Sequence, residues 1–278
     1  TAIRKFVFFD CKTLKSLIIP DSVISIGRRA FYKCESLETL AIPDSVTSIG
    51  ESAFSDCVSL KTTAILDSAA SEEVPSYRTL KSFFVPKFVS SISQNAFRNC
   101  KSLVSITIPD SVNKIGDEAF YNCEKLLLVT ISGSVARLGA NLFSRCSNLC
   151  EIRVVEGREN LKMVDGVLFD KDMTRIIWCS PQKSGSYEIP NTVKTIDIGA
   201  FWRSKKLTSI SIPDSIKEIP DFAFAFCSGL RSIAIPGSVT SIGEHAFEMC
   251  EGLRTVSIPE GLEYPSNVFP NGVTIIKY

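Results

Sequence analysis

The chain has 278 residues, of which 45% are hydrophobic and 22% are charged, and its 31 basic and 30 acidic residues leave a formal charge of +1. This length allows one large domain or two ordinary domains with an apolar core. The balanced charge argues against a nucleic-acid or anionic-membrane binder, because either needs a basic surface. The sequence contains no apolar run that approaches the 18 residues of a transmembrane segment.

The N-terminal residues 1–4 lack the apolar core of a signal peptide. The first residues also open in the middle of a unit that is repeated along the chain. We therefore read this start as a processing site or a boundary within a longer chain.

One pattern, L-x-x-I-x-I-P-D-S-V-x-x-I-G-x-x-A-F-x-x-C, is repeated along the chain and is most complete at residues 37–57, 103–123 and 230–250. Its phenylalanine recurs ten times, mostly at a step of 23 residues. The ten positions are Phe8, Phe31, Phe54, Phe97, Phe120, Phe143, Phe201, Phe224, Phe247 and Phe269. A fixed period of this length is typical of a solenoid, in which each repeat packs on its neighbours.

Two of the intervals between successive repeated phenylalanines are longer than the others. Between Phe54 and Phe97 the interval predicts an irregular repeat at residues 67–80, with Tyr77 in the phenylalanine position. The second long interval predicts an insertion at residues 156–185, where residues 165–178 read as two strands around a polar turn, a β-hairpin. We therefore expect about twelve rungs in a single solenoid domain over residues 1–278.

Each unit begins with a short strand. Leu40 and Ile42 alternate with Ala41, so the two large side chains point inward and Ala41 points outward. Pro43 ends the strand because it has no amide hydrogen for a ladder. Parallel strands of stacked units would lie about 4.8 Å apart.

A turn and a second short strand complete each unit. Asp44 and Ser45 suit a turn, where we expect their side chains to bond nearby backbone amides. We expect Gly50 to supply a backbone angle that other residues resist. Ala53 and Phe54 then point inward through a tight or 3₁₀ turn, so the phenylalanine column forms the core.

Eight of the ten cysteines occupy one position, three residues after the phenylalanine: Cys11, Cys34, Cys57, Cys100, Cys123, Cys146, Cys227 and Cys250. Ser204 replaces cysteine in one unit, and Cys150 and Cys179 lie outside the column. A step of 23 residues does not match zinc-ligand spacing. Two readings stay open: a column of buried thiols that act as small apolar groups, or disulfides between neighbouring rungs.

The repeated string I-P-D-S-V-x-x-I-G-x-x-A-F-x-x-C resembles that of the BspA-like leucine-rich-repeat family, and residues 165–172 with 187–190 resemble its hairpin-containing module. The resemblance implies a right-handed leucine-rich-repeat solenoid with a parallel sheet. It also implies a secreted or cell-surface protein that binds extracellular-matrix proteins or mediates attachment. It brings no catalytic residues. Asp or Ser stands where ordinary leucine-rich repeats carry an asparagine ladder.

The sequence offers no catalytic, metal or cofactor site. His245, the one histidine, occupies a variable position that we expect to be exposed. Asp21, Asp44, Asp110 and Asp214 recur as the turn residue of each unit, which explains them without acid catalysis. Asp170 and Asp172 lack the glycine and distal glutamate of a calcium loop.

Candidate binding residues are large side chains at positions expected to be exposed. Phe84 and Arg153 stand out along an otherwise small outward strand position, and Tyr32, Tyr121 and Trp202 follow the repeated phenylalanine. Trp178 in the hairpin is a further candidate. Partial packing against a neighbouring turn, or within the hairpin, is the alternative for the aromatic residues.

The leading interpretation is a non-catalytic adhesion module that binds extracellular protein or glycan surfaces. The alternative is a structural or display scaffold, a stalk or spacer for other domains, and an enzyme is a third and weaker reading. Residues 273–278 read as a closing strand with an open edge, which predicts weak homodimerisation through the terminal edges.

Overall fold

The computed structural model of the chain describes residues 1–61, 83–155 and 160–278. Its described residues form short strands joined by turns, with no helix among them. They divide into two compact units, residues 1–160 and 161–278. The irregular repeat predicted at residues 67–80 lies outside the described residues, as do residues 156–159 of the predicted insertion. The single domain over residues 1–278 stays a prediction.

The first unit is a β-solenoid with parallel sheets. Its short second strands form one six-stranded sheet: β1 (Ala2–Ile3), β3 (Ser25–Ile26), β5 (Ser48–Ile49), β7 (Ser91–Ile92), β9 (Lys114–Ile115) and β11 (Arg137–Leu138). Its other strands pair as β2 (Ser16–Ile18) with β4 (Thr39–Ala41), and in the order β6 (Phe83–Phe84), β8 (Ser105–Ile108), β10 (Leu128–Ser132) and β12 (Glu151–Val155). The predicted parallel strands and short second strands are confirmed.

The register of these sheets preserves the sequence repeat. Val129 in β10 pairs with Ile106 in β8 and with Ile152 in β12. Each step is 23 residues, so every position of the repeat lies beside its own counterpart in the next turn. Side chains of one repeat position therefore form a column.

The repeated phenylalanines form a stacked column in the first unit. The centroid distances between successive rings run from 4.9 Å for Phe8–Phe31 to 5.8 Å for Phe120–Phe143. The rings of Phe54 and Phe97 are direct neighbours at 5.3 Å, and the Phe54 amide donates to the Ala96 carbonyl at 2.8 Å. Phe54 and Phe97 are therefore adjacent rings of this column. The described residues of the two units form about 11 turns, against about twelve predicted for the chain.

The second unit starts with the predicted hairpin and continues as a β-solenoid. Strands β13 (Leu161–Val164), β14 (Val167–Asp170) and β15 (Arg175–Cys179) are antiparallel, and β15 pairs in parallel with β17 (Thr195–Ile196). The remaining parallel strands are β16 (Gly185–Glu188) with β18 (Leu207–Ser211), β19 (Glu218–Ile219) with β21 (Ser241–Ile242), and β20 (Ser232–Ala234), β22 (Thr255–Ile258) and β23 (Thr274–Lys277). The hairpin is thus confirmed, with β13 as an additional strand.

A second phenylalanine column forms the core of this unit. Phe201, Phe224, Phe247 and Phe269 stack at centroid distances of 5.0, 5.2 and 5.3 Å. Phe201, Phe224 and Phe247 are completely buried. The inward packing predicted for the phenylalanine position is confirmed in both units.

The role expected for Gly50 is wrong. Its φ is not positive. A Cβ atom at Gly50 would lie 2.7 Å from the backbone nitrogen of Arg28 and from the backbone carbon of Gly27. Glycine recurs at this position because two successive turns approach each other too closely for a side chain.

The expected hydrogen bonds of Asp44 and Ser45 to nearby amides are also wrong, because both side chains bond to neighbouring turns. The Ser45 hydroxyl donates to the carbonyl of Val23 at 2.8 Å. Asp44 accepts from the backbone nitrogen and the ammonium group of Lys87, at 3.3 and 2.8 Å. The serine bond recurs from Ser111, Ser215 and Ser238. The recurring serine therefore links one turn to the next.

The cysteine column consists of free thiols, which decides between the two readings of the sequence. The Cys57 thiol donates to the carbonyl of Phe31 in the preceding turn at 3.0 Å. Six further thiols make the equivalent bond, from Cys34, Cys100, Cys123, Cys146, Cys227 and Cys250. The buried thiols thus fill space and satisfy backbone carbonyls as well.

Candidate binding surface

The corner around each phenylalanine contains two residues in the left-handed conformation. They lie two positions before and two positions after the ring, as Phe222 (φ 55°) and Phe226 (φ 62°) do around Phe224. Such a conformation strongly favours glycine, with Asn and Asp the most tolerant of the other residues. In the first unit Asn95, Asn99 and Asn122 occupy these positions.

The second unit carries aromatic residues at this corner. The rings of Trp202, Phe222, Phe226 and His245 are half-buried and contact one another, and we call this group the aromatic patch. Trp202 lies 5.6 Å from Phe222 and 4.9 Å from Phe226 between ring centroids. The Arg203 guanidinium lies 5.8 Å from the Phe226 ring centre. The patch is therefore an apolar surface with a cation at its margin.

Three members of the patch occupy left-handed positions: Phe222, Phe226 and His245. A bulky residue there costs about 1–3 kcal/mol relative to a relaxed conformation. Bulky residues such as Arg29 and Lys33 occupy the same left-handed positions in other turns, so this backbone conformation belongs to the corner itself. The feature of this corner that suits ligand binding is the set of four contacting rings.

Trp202 is held by ring contacts alone. Its indole nitrogen is covered by protein atoms and has no hydrogen-bond partner among the described residues. A buried donor without a partner costs about 1–3 kcal/mol. Trp202 is half-buried and packs on rings of the next turn, as in the alternative of partial packing, and its role in binding stays a prediction.

The expectation that His245 is simply exposed is wrong. Its ring stacks on Phe222 at 5.0 Å with an interplanar angle of 8°. Its Nε2 lies 3.1 Å from the side-chain nitrogen of Asn267, and its Nδ1 lies 3.7 Å from a carboxylate oxygen of Glu248. The histidine extends the patch towards a polar margin.

Tyr32 and Tyr121 lie at the corner of the first unit, where each is surrounded by cations. Tyr32 stacks on Phe9 at 5.5 Å, and the Arg29 guanidinium lies 5.4 Å from its ring centre. Tyr121 has Arg98 at 4.1 Å and Arg145 at 5.6 Å from its ring centre. Each tyrosine thus has two cations over its ring, whereas Arg203 lies over one ring of the aromatic patch.

A side-chain ladder that the sequence analysis missed runs along the same corner. The Asn122 amide donates to the Asn99 side-chain oxygen at 2.9 Å, and the Asn99 amide donates to Asp56 at 2.7 Å. An asparagine ladder thus exists, two residues after the phenylalanine. The recurring F-x-[DN] signal was present in the sequence at these three turns.

Phe84 and Arg153 lie on another face, in one row of the four-stranded sheet. The register places Phe84 beside Thr107, Thr107 beside Thr130, and Thr130 beside Arg153. Phe84 is 42% exposed, and Arg153 pairs with Glu151 at 2.6 Å. These two candidates are separated by the whole width of that sheet, so they form no joint site.

Trp178 does not reach the surface. It is only 7% exposed and pairs opposite Leu168 in the hairpin. The structure places it in the core of the second unit, which corrects its selection as a binding residue. Trp202 is therefore the one predicted tryptophan that contributes to a surface.

The described part of the chain holds no group of three or more His, Cys, Asp or Glu side chains arranged to bind a metal. Within the same residues, no helix has the length and apolarity required to cross a membrane. The terminal edges are open: β1 and β23 each pair on one side only. Their role in homodimerisation stays a prediction.

The repeat matches the model of a known family. The family model described as "BspA type Leucine rich repeat region" matches the chain in six copies, over residues 1–77, 68–180 and 178–277. No curated protein matches the chain.

Solved structures share this fold. A leucine rich cell surface protein from Faecalibacterium prausnitzii A2-165 is 32% identical with a TM-score of 0.71, and the match covers 99% of this chain and 82% of that one. A leucine-rich repeat protein from Eubacterium ventriosum is 26% identical with a TM-score of 0.69, over 89% of this chain and 60% of that one. The pneumococcal vaccine antigen PcpA, 23% identical with a TM-score of 0.58 over 99% of this chain and 79% of that one, shows the fold alone.

Proposed function

Since the chain belongs to the BspA-type leucine-rich repeat family, we propose that it is a non-catalytic adhesion module of a secreted or cell-surface protein, and that the aromatic patch binds an extracellular protein. Leucine-rich repeat solenoids are generally not enzymes. The surface location is supported by the similar Faecalibacterium protein, which is described as a cell surface protein.

The observation that carries this proposal is the set of four aromatic rings that contact one another at the surface of one corner. Phe222, Phe226 and His245 occupy left-handed positions that carry mostly polar or charged residues in other turns. The rings of these three residues and Trp202 contact one another at the surface. Protein interfaces concentrate their binding energy in clusters of Trp, Tyr and Arg with an apolar centre. A protein ligand fits this chemistry because the patch offers apolar area and the Arg203 cation together.

The experiment measures binding of the purified chain to a panel of immobilised extracellular-matrix proteins and neutral glycans. A triple variant replaces patch residues with those that the same positions carry in other turns: Trp202→Ser, Phe222→Asn and Phe226→Asn. Ser55, Asn95 and Asn99 show that the fold accepts these residues. The matched control is Tyr32→Ser with Tyr121→Ser in the first unit.

We expect the wild-type chain to bind at least one protein of the panel, and the triple variant to bind it at least about tenfold more weakly, since one hot-spot residue contributes about 2 kcal/mol or more. The control should bind as the wild type does. Binding of a neutral glycan alone would assign the patch to carbohydrate. Equal binding by wild type and triple variant would place the binding site outside the aromatic patch, and no binding at all would favour the scaffold interpretation.

A further inference from the structure

A groove of about 430 Å³ lies on the outer side of the sheet of short second strands in the first unit. It crosses β7, β9 and β11, and its lining includes Ser91, Gln94, Lys114 and Arg137. None of the described residues that line it is aromatic. Of its apolar lining residues, Ile92 and Ile115 are buried and Leu138 is half-buried, so polar and charged side chains make up most of its exposed lining.

Two cations stand side by side in this groove. Lys114 in β9 and Arg137 in β11 are direct register partners in adjacent parallel strands, and both are exposed. Among the described residues, neither has a carboxylate partner within ion-pair distance. Like charges directly opposite in a sheet destabilise it.

The two carboxylates of the groove already have other partners. Glu51 pairs with Arg28 at 3.3 Å, and an oxygen of Asp117 accepts from the backbone nitrogen of Ala140 at 2.8 Å. Lys114 and Arg137 are thus the two exposed cations of the groove lining, and Asp117 lies beside them as an exposed carboxylate that a backbone amide orients. The fold does not require the two cations, because Ser25, Ser48 and Ser91 occupy the same position in the preceding turns.

We propose that this groove binds an anionic polysaccharide, with one sulfate or carboxylate group bridging Lys114 and Arg137. Strands in such a sheet are about 4.8 Å apart, which lets two neighbouring cations contact the oxygens of one anionic group. The polysaccharide is itself polar, which suits the hydroxyl group of Ser91 and the amide group of Gln94. An acidic peptide is less suited, because the groove has no apolar pocket for an anchor side chain. The groove is separate from the aromatic patch and its function does not depend on the patch.

The test is isothermal titration of the full chain with dextran sulfate, alginate, neutral dextran and poly-glutamate, at low salt and at about 500 mM NaCl. The double variant Lys114→Ser with Arg137→Ser replaces both cations with serine, the residue at the same position in the preceding turns. The control Lys194→Thr with Lys217→Thr removes two exposed cations from the second unit, at a position that Thr240 occupies in another turn. Thermal unfolding of both variants verifies that they remain folded.

We expect the wild type to bind dextran sulfate or alginate but not neutral dextran, with affinity that falls steeply at high salt. The preferred polymer identifies sulfate or carboxylate as the recognised group. The groove variant should bind about tenfold more weakly and the control should be unchanged. Equal affinities of the two variants, no binding of either acidic polysaccharide, or tighter binding of poly-glutamate than of both polysaccharides would overturn the proposal.

Discussion

The thiol of Cys123 donates a hydrogen bond to the backbone carbonyl of Phe97 in the preceding turn, at a distance of 3.2 Å. The same carbonyl also accepts from the amide of Cys100 at 3.2 Å. A carbonyl has two lone pairs, so the local turn uses one and the next turn of the solenoid uses the other. The cysteine side chain thus has two roles: it packs in the apolar core, and it hydrogen-bonds to the preceding turn.

This relationship predicts that Cys123→Ala and Cys123→Ser differ in stability. Alanine removes the donor and leaves a small cavity, so we expect a loss of about 1–3 kcal/mol in the free energy of unfolding. Serine keeps a donor for the Phe97 carbonyl, so its loss should be smaller than that of alanine. Urea unfolding measures both. Equal losses would show that the thiol serves only to fill space.

The buried thiols predict that stability falls in alkaline solution. Burial raises the pKa of Cys57, Cys123 and Cys227 well above the ordinary value, and it raises the pKa of Cys179 to about 12. The folded state therefore keeps protons that the unfolded chain loses above about pH 8.5. The stabilisation is complete below that pH and is lost as pH rises towards the pKa values of the folded chain, by about 1.4 kcal/mol per pH unit for each thiol. Cys34 opposes this trend, because the Cys57 side chain beside it lowers its pKa.

The measurement is the urea midpoint between about pH 8 and about pH 10.5, where the thiols of an unfolded chain titrate. Cys123→Ser removes one titrating group, so its free energy of unfolding should fall less steeply with pH than that of the wild type. A pH-independent midpoint in the wild type would contradict the raised pKa values.

The phenylalanine column predicts a large cost for Phe120→Ala. Phe120 is completely buried between Phe97, at 5.6 Å, and Phe143, at 5.8 Å. Its truncation should reduce the free energy of unfolding by about 3–5 kcal/mol in a denaturant melt. The control Phe84→Ala changes a 42% exposed ring and should cost less. A loss well under about 1 kcal/mol for Phe120→Ala would show that this ring is not part of the core.

Close approach of successive turns predicts that Gly116→Ala is destabilising. The added Cβ would lie 2.4 Å from the backbone nitrogen of Gln94, and a backbone atom cannot move away as the end of a flexible side chain could. Overpacking of this kind costs about 1–3 kcal/mol or more. Gly237→Ala is the matched control, because no atom lies within 4 Å of its Cβ position. Thermal unfolding of the two variants compares them directly, and equal melting temperatures would contradict the close approach.

The sequence also predicted part of the candidate binding surface. The residue after the phenylalanine suggested Trp202, Tyr32 and Tyr121 as exposed aromatics, and all three are half-buried at corners. The remaining members of the aromatic patch were missed, because Phe222 and Phe226 look like additional core residues in a chain rich in phenylalanine. Only their left-handed backbones turn them to the outside.

Other assignments failed because the deciding contact is made with another turn or another strand. Gly50 was assigned a special angle, whereas it is the backbone at Arg28 that leaves no room for a side chain. Trp178 was assigned to the surface, whereas the hairpin strands enclose it. Neither the distance to Arg28 nor the burial of Trp178 is encoded within a single repeat.

The sequence by itself determined the repeating unit, its parallel strands and its phenylalanine and cysteine columns, because a 23-residue period repeats the same inward and outward pattern at every turn. The tertiary structure decided which residues meet between turns: the Cys123–Phe97 bond, the pairing of Lys114 with Arg137, and the contact of Trp202 with Phe226. These contacts join residues about one repeat apart, and their geometry depends on the register and spacing of stacked turns, which only the folded chain sets.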